Sequence, residues 1–187
     1  MAGEARLNET DAGLVVGGEG WFVMNLEDAR WLERPGQGYS LPLTGIDDFE
    51  VETYFPMLGI SLRVMRPGEP STTYHWEHEQ EDFLVLAGEV VLLVEGEERP
   101  LRRWDFVHCP PGTRHAFAGA GDGPCALLCM ASRQHQTEGE WGGYIADPVA
   151  ARYNASPPVD TADPELAYAR FPPPRPIRYP GGLLPEM

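Results

Sequence analysis

The sequence contains no long apolar run, and positively charged residues are few. No apolar stretch approaches the roughly 18 residues that a membrane-spanning helix requires, so we expect no membrane partner. Arginine and lysine together number 14 against 29 aspartates and glutamates, which gives a formal charge of −15. This charge repels phosphate backbones, and no helix-turn-helix pattern or basic region accompanies it. We therefore expect no nucleic-acid partner.

Cysteine is also scarce, and common catalytic signatures are missing. The three cysteines, Cys109, Cys125 and Cys129, form no CxxC pair, and their odd number predicts free thiols in a reducing compartment. The N-terminal segment MAGEARLNETDAG lacks the basic start and apolar stretch of a secretion signal, so we expect a cytoplasmic location. No Ser-His-Asp or Cys-His arrangement is evident, and the glycine-rich LVVGGEG does not open a helix as a phosphate-binding loop would.

The length of the chain predicts one domain with appendages. A chain of 187 residues suits a single folded domain. Residues 1–18 are glycine-rich and charged, and we expect them to be mobile. Residues 19–135 are predicted to form a β-barrel, within which residues 21–26 are interpreted as a strand and residues 33–48 as loop. Residues 136–187 are predicted to form a C-terminal extension.

From residue 49 onward, short apolar segments alternate with turn signals such as RPGEP, AGE, EGEE and CPPG. This close, regular spacing predicts an all-β sandwich or barrel rather than a helical bundle. The stretch DFLVLAGEVVLLVEG is interpreted as two strands separated by a turn at Gly88-Glu89. The predicted strands cover residues 51–55, 58–65, 72–77, 83–87, 90–94, 105–109, 115–118 and 125–131.

The C-terminal extension has a different character. Two Asp-Pro pairs, at Asp147 and Asp163, predict short helices because aspartate is a good N-cap and proline suits the first turn. After Phe171 the sequence PPPRPIRYPGGLLPEM excludes a helix or a central strand and predicts an extended, proline-rich arm. Such an arm packs on the barrel, binds a neighbouring subunit or hangs free, and the sequence leaves these alternatives open.

The segment GEPSTTYHWEHEQEDFLVLAG, residues 68–88, is the most informative part of the chain because it concentrates histidines and acidic residues. Residues two apart in a strand face the same side, so His75 and Glu77 project together and His78 faces the other way. Glu81 follows a predicted turn and begins the next strand, where only one of Glu81 and its neighbour Asp82 can face inward.

A second histidine-containing turn, CPPGTRH, lies further along the chain and places His115 at the start of a third strand. Imidazole and carboxylate groups aimed inward from three adjacent strands would form a compact cage. Such groups, backed by a stiff sheet, are the ligands that a bound divalent metal ion requires. The sequence therefore predicts a metal site.

These residues resemble the first of the two sequence motifs of the cupin family, G-x5-H-x-H-x3–4-E-x6-G. His75, Glu81 and Gly88 stand at matching positions. Glu77 stands where the family most often has the second histidine, and Gly68 is one residue further from His75 than the pattern expects.

The second cupin motif, G-x5-P-x-G-x2-H-x3-N, is matched in order and spacing by Pro110, Gly112 and His115. Trp104 replaces its leading glycine, and Gly119 replaces its final asparagine. Both motifs occur in the right order, and the resemblance covers roughly the motif core 45–135.

The resemblance implies an antiparallel cupin-type β-barrel, or jelly roll, with a metal ion near its open end. It transfers the ligand role to four residues, His75, Glu77, Glu81 and His115. At the second position either Glu77 is the ligand or a bulge turns His78 inward, and strand parity favours Glu77. The mixed ligand set suits one divalent ion, Mn, Fe, Ni or Zn, and its two carboxylates make an anionic substrate less favoured.

Three functions are compatible with such a site. We favour a metal-dependent enzyme of oxygenase or isomerase type that acts on a small organic molecule, because open coordination positions exceed what stability needs. The alternatives are a non-catalytic small-molecule binder and a structural protein. No general base can be named, although Tyr74 and His108 are the nearest candidates. Cupin-like barrels commonly dimerise through N-terminal strands, so we also expect a homodimer, which a monomer mass by light scattering would contradict.

Overall fold

The structure is a computed structural model, and it describes residues 3–43, 57–133 and 141–184. Within these ranges the chain forms β-strands and two one-turn helices, and all pairings between the strands are antiparallel. The predicted all-β antiparallel fold is therefore confirmed. The strand predicted at residues 51–55 lies outside the described residues.

The strands that precede the histidine-rich segment are β1 (Arg6–Thr10), β2 (Gly13–Gly17), β3 (Trp31–Arg34), β4 (Gly38–Pro42) and β5 (Leu58–Met65). The central strands are β6 (His75–Glu77), β7 (Glu81–Ala87), β8 (Glu89–Val94), β9 (Glu97–Arg102), β10 (Phe106–Cys109), β11 (His115–Ala120) and β12 (Cys125–Ser132). The C-terminal elements are β13 (Gly142–Tyr144), α1 (Pro148–Ala151), α2 (Pro164–Ala167) and β14 (Arg175–Ile177).

Two large sheets enclose one core. The seven-stranded sheet has the order β10-β7-β12-β5-β4-β3-β14, and the five-stranded sheet has the order β13-β6-β11-β8-β9. Met65 and Leu127 from the first sheet pack with Val90 and Phe117 from the second in one buried cluster. Burial alternates along β7, whose first, third and fifth residues are buried, as expected of a strand with one face on the core. Strands β1 and β2 form a separate hairpin.

The turns around β8 follow from glycine positions. Gly88, between β7 and β8, has φ +71°, and a Cβ there would lie 2.6 Å from the Pro124 carbonyl oxygen. Glu95 and Gly96, between β8 and β9, have φ +48° and +76°, which is the left-handed pair of a tight two-residue hairpin. The prediction of two strands separated by a turn is thus confirmed.

Two predictions for the N-terminal region are wrong. Residues 21–26 form no strand, because only Trp21 pairs, in an isolated bridge with Glu4. Residues 33–48 are not all loop, since β3 and β4 pair as a hairpin across Gly36, whose φ of +86° marks a tight turn. The proline and glycine of this segment therefore punctuate two strands. Residues 6–17 hold the β1–β2 hairpin, and the mobility of residues 1–18 stays a prediction.

The C-terminal elements close the edges of both sheets. α1 and α2 begin after Asp147 and Asp163, whose side chains accept backbone N–H bonds, as predicted for N-caps. β14 pairs with β3 at a sheet edge, where Arg175 lies 2.6 Å from Glu33, so the proline-rich arm packs on the barrel. β13 pairs with β6 and extends the sheet that carries His75. Among the described residues no helix is long and apolar enough to cross a membrane.

Candidate metal centre

Three of the four predicted ligands converge at one point of the barrel. His75, Glu81 and His115 are the first residues of β6, β7 and β11, and each is buried. His115 is the register partner of His75 in the antiparallel β6–β11 pair. One ligand atom from each of the three residues lies within 4.8 Å of the other two. This separation allows all three residues to contact a common ion.

The second-motif turn fixes the approach of β11. Gly112 has φ +84°, and its N–H donates to the Glu77 carbonyl oxygen at 2.7 Å. The Thr113 hydroxyl donates to the Pro110 carbonyl oxygen at 2.7 Å and closes the same turn. Because the turn is hydrogen-bonded to the end of β6, it places His115 beside His75. The spacing of the motif therefore has a direct structural cause.

Both histidines are held in the tautomer that suits metal binding. Nδ1 of His75 lies 2.8 Å from the Thr73 carbonyl oxygen, and Nδ1 of His115 lies 3.0 Å from the Thr113 carbonyl oxygen. A carbonyl oxygen only accepts, so each Nδ1 carries the proton and donates. Nε2 of each ring therefore keeps its lone pair for a ligand. Nε2 of His115 lies 3.4 Å from Oε2 of Glu81.

The electrostatics of the cluster also fit a cation. Burial and the neighbouring His115 lower the pKa of His75 to about 3, and burial lowers the pKa of His115. Both rings are therefore neutral ligands near neutral pH. Burial, followed by the charge of Glu77, raises the pKa of Glu81 well above its usual value. A divalent ion would remove the repulsion between these two carboxylates.

Glu77 lies beside the cluster of His75, Glu81 and His115 but is not one of its three members. Its Oε1 is 3.7 Å from Nε2 of His75, and its side chain is 15% exposed. His78 is exposed and its ring contacts Trp76 at a centroid distance of 4.8 Å. Asp82 faces away from Glu81 and accepts hydrogen bonds from His108 and Gln80, both at 2.7 Å. The inward positions of Glu77 and Glu81 support the parity argument, and the full ligand set stays a prediction.

Substitution of Glu77 tests the second ligand position. We expect Glu77→Gln to weaken metal affinity by roughly tenfold or more, because a neutral amide replaces a carboxylate that lies beside the cluster. His78→Gln is the matched control at the neighbouring exposed position and should leave the affinity within about twofold. Competition titration with a chromophoric chelator measures both constants. A larger loss in His78→Gln would show that His78 is the ligand.

The buried histidines predict an acid-sensitive metal-free protein. The pKa of His75 is about 3 when folded, whereas an unfolded histidine titrates near 6.5. The unfolded state therefore binds more protons between these values, and stability falls as pH decreases through this window, by roughly 5 kcal/mol in total. Glu81 acts in the opposite direction, so the comparison is with His75→Gln in urea unfolding at several pH values. Parallel stability profiles for the two proteins would contradict the expectation.

A cavity of about 870 Å³ opens beside the cluster. Its wall contains Phe83, Phe117, Trp141 and Tyr144 close to the two histidine rings, with centroid distances to the nearer ring of 5.2 to 6.5 Å. Tyr74 and His108 do not line this cavity: the Tyr74 hydroxyl accepts from Gly96 N–H, and His108 is exposed. Neither of the two residues named from the sequence as candidate general bases therefore lies on the cavity.

The sequence did not indicate several residues of the cavity wall. Trp141 and Tyr144 belong to the C-terminal extension and reach the site because β13 pairs with β6. Arg63 lies on β5, whose register partners are on β4 and β12. The pairing of β13 with β6 left no periodic signal, since the strand is three residues long and reads Gly-Gly-Tyr.

A family model described as the cupin domain matches residues 61–131. These residues span strands β5 to β12 and include the three clustered candidate ligands. This part of the chain is a cupin domain. The most evident departure of this cupin domain from the family pattern is Glu77 at the second histidine position.

Solved structures similar to this cupin cover only part of it. A protein from Acidithiobacillus ferrooxidans is 33% identical over 41% of this chain and 51% of its own, with a TM-score of 0.40. A cupin-superfamily sugar phosphate isomerase from Silicibacter pomeroyi is 24% identical over 58% of this chain and 62% of its own, with a TM-score of 0.43. The polyketide cyclase RemF from Streptomyces resistomycificus is 17% identical over 51% and 65%, with a TM-score of 0.42. This cupin spans less than two thirds of each of these chains, and no curated protein matches it.

Proposed function

We propose that this cupin is a metal-dependent enzyme, of oxygenase or isomerase type, that acts on a small organic molecule. One observation carries the proposal: the ligand atoms of His75, Glu81 and His115 meet on the wall of a cavity of about 870 Å³. A cavity of that size accommodates a small molecule. An ion that served only to stabilise the barrel would gain nothing from a cavity beside it.

The proposed ligands of one divalent ion, Mn, Fe, Ni or Zn, are His75, Glu77, Glu81 and His115. The donor set fits such an ion, because two imidazoles present Nε2 lone pairs and two carboxylates balance the charge. When bound, the ion would supply Lewis acidity or activate oxygen.

The aromatic side chains of the cavity shield the imidazoles and contact the substrate in the site that we propose. Phe83 and Phe117 pack against the His115 ring at 5.2 and 5.9 Å, and Trp141 stands 6.5 Å from the His75 ring. These rings exclude water from the faces of the imidazoles and offer an apolar surface to a substrate. The Nδ1 hydrogen bonds hold both imidazoles in place while a substrate enters or leaves.

The test reconstitutes the purified protein separately with Mn, Fe(II), Ni and Zn and supplies a panel of small organic molecules. Oxygen consumption reports oxygenase activity, and proton NMR of the panel reports isomerisation. We expect turnover with one metal form and none with metal-free protein or with His115→Gln. Stoichiometric metal and ligand binding without turnover would favour the non-catalytic binder, and absence of metal binding would end the proposal.

Assembly and location stay predictions of the same proposal. Exposed apolar side chains at Trp104 and Phe106, 62% and 61% exposed, offer surface that a second copy could cover. We keep the expectation of a homodimer, which light scattering tests, and of a cytoplasmic location, which fractionation tests.

A further inference from the structure

The cavity gathers positive charge inside an acidic protein. Three of the 14 basic residues, Arg34, Arg63 and Arg133, line it, whereas only Glu77 and Glu81 of the described acidic residues do so. Over the whole chain acidic residues outnumber basic ones by 29 to 14. If a divalent ion balances the two glutamates, the charge of Arg63 has no balancing group among the described residues.

Arg63 is the most informative of the three. It lies on β5, opposite Ser40 of β4 and Leu127 of β12, and its side chain is half-buried. Within residues 3–43, 57–133 and 141–184, no hydrogen bond or ion pair engages its guanidinium. Five N–H donors are therefore directed at a cavity without an acceptor from the described chain.

The metal site does not explain Arg63. Arg63 lines the same cavity as His75, and its guanidinium carries a positive charge and only donates hydrogen bonds, so it cannot act as a metal ligand. Its presence there points to a negatively charged occupant.

The side-chain amide of Gln37, on the same cavity wall, carries a second donor without an acceptor among the described residues. Nη1 of Arg34 donates to Oε1 of Gln37 at 3.3 Å, and the Arg34 guanidinium stands 4.6 Å from the centre of the Tyr168 ring. Because arginine only donates, the Gln37 oxygen must face Arg34, which assigns the other amide atom as Nε2. This buried Nε2 has no acceptor among the described residues, which is unfavourable for a buried donor. Ser40 pairs with Leu32 of β3 on one side and Arg63 of β5 on the other, so Arg34 is two residues along β3 from the position aligned with Arg63.

The guanidinium of Arg133 occupies a space in the cavity wall that exists because residue 59 is a glycine. It follows β12 and is 6% exposed. A Cβ on Gly59 would lie 2.8 Å from Nε of Arg133, so the guanidinium occupies the space that any larger residue at position 59 would need. Arg133 thus keeps its charge in the cavity wall in a defined position.

We propose that this cavity takes a small organic anion, a carboxylate or a phosphate monoester, whose charged group is bound by Arg63 with Arg34 and Arg133 beside it. The inference rests on the proposed function for the role of the part of the cavity where the candidate ligands His75, Glu81 and His115 lie. Planar guanidinium groups bind both kinds of oxyanion through paired N–H donors. The two carboxylates of the metal site made an anion less favoured from the sequence, and Arg63 on the wall of the same cavity reverses that expectation.

The experiment measures binding of matched acid and neutral pairs by isothermal titration, with metal-loaded and with metal-free protein at fixed ionic strength. Succinate, benzoate and salicylate are compared with their amides, and glycerol 3-phosphate and glucose 6-phosphate with glycerol and glucose. The variant is Arg63→Gln, and the matched control is Arg102→Gln, which removes the same charge from an exposed position outside the cavity. We expect at least one acid to bind about tenfold or more tightly than its neutral partner, and Arg63→Gln to lose that preference while Arg102→Gln keeps it.

Comparison of the carboxylates with the phosphate monoesters shows which kind of anion the cavity binds. Equal binding of acids and neutral partners, absence of binding by every acid, or an unchanged preference in Arg63→Gln would each overturn the inference. Metal content is measured on the same samples. Stoichiometric metal without an anion preference would leave the proposed function standing, whereas an Arg63-dependent preference without metal would leave only the inference standing.

Discussion

Replacing His115 with alanine is expected to reduce bound metal from about one ion per chain to roughly a tenth of that or less, and His75→Ala should do the same. Each substitution removes an Nε2 donor that the Nδ1 hydrogen bond holds toward the cluster. Elemental analysis of the purified variants after dialysis against the metal measures the loss. The expected effect is large because the remaining donors no longer surround an ion.

The control for this experiment is His108→Ala. His108 is also a strand histidine, but it is exposed and bound to Asp82 on the outside of the barrel, so the metal content should be unchanged. His115 is 1% exposed, and its truncation leaves a void in the barrel. His115→Gln keeps most of the volume, and its circular dichroism should match that of the parent protein. Stoichiometric metal in folded His115→Gln and in His75→Ala would overturn the ligand set.

Glu81→Gln is expected to stabilise the metal-free protein and to destabilise the metal-loaded one. The folded-state pKa of Glu81 is raised, so its ionised form costs stability above the unfolded pKa, about 1.4 kcal/mol for each unit of elevation. In a domain of this size, that corresponds to a melting temperature about 3–5 °C higher for each unit in the metal-free variant near pH 7. The gain should vanish below the unfolded pKa, where the carboxyl is protonated in both states.

The metal-loaded proteins should show the reverse order. A ligand at a thousand times its dissociation constant stabilises by about 4 kcal/mol, which raises the melting temperature by about 8–16 °C in the parent protein. Glu81→Gln loses a ligand and should keep only a small part of this gain. Calorimetry with and without EDTA measures all four states, and Glu89→Gln, at an exposed position on β8, is the control. The same sign of change in both states would show that Glu81 does not act on a cation.

Apolar segments and turn signals predicted most of the barrel from the sequence. Residues 58–65 form β5 with the predicted bounds, and the predicted strands at 83–87, 90–94 and 115–118 differ from β7, β8 and β11 by two residues or fewer at each end. β9 was missed because its sequence, EERPLR, is polar and lies at an edge of the five-stranded sheet, where little apolar surface is buried. The β3–β4 hairpin was missed because glycine and proline mark tight turns as well as loops.

The candidate ligands could be predicted because their spacing lies within two short motifs. Three of them converge, and the fourth, Glu77, stands beside His75. The place of Arg63 in the cavity wall could not be predicted. Leu62 and Val64 make one face of β5 apolar, so alternation predicts that the opposite face, with Arg63, is exposed to solvent, whereas that face lines the cavity. The contribution of Trp141 and Tyr144 depends on a pairing between segments more than 60 residues apart in the sequence, as for Tyr144 and His75, which leaves no local pattern.

The hydrogen bonds from Nδ1 of His75 and His115 go to carbonyl groups two residues earlier in the same chain segment. The orientation of the two rings therefore depends on no side chain of the facing wall. Substitutions among the strands β3, β4 and β5 would change which molecule the proposed site recognises while the two imidazoles stay in register. Such separation makes the cavity suited to diversification, in evolution or by design, with the candidate ion-binding corner inherited unchanged.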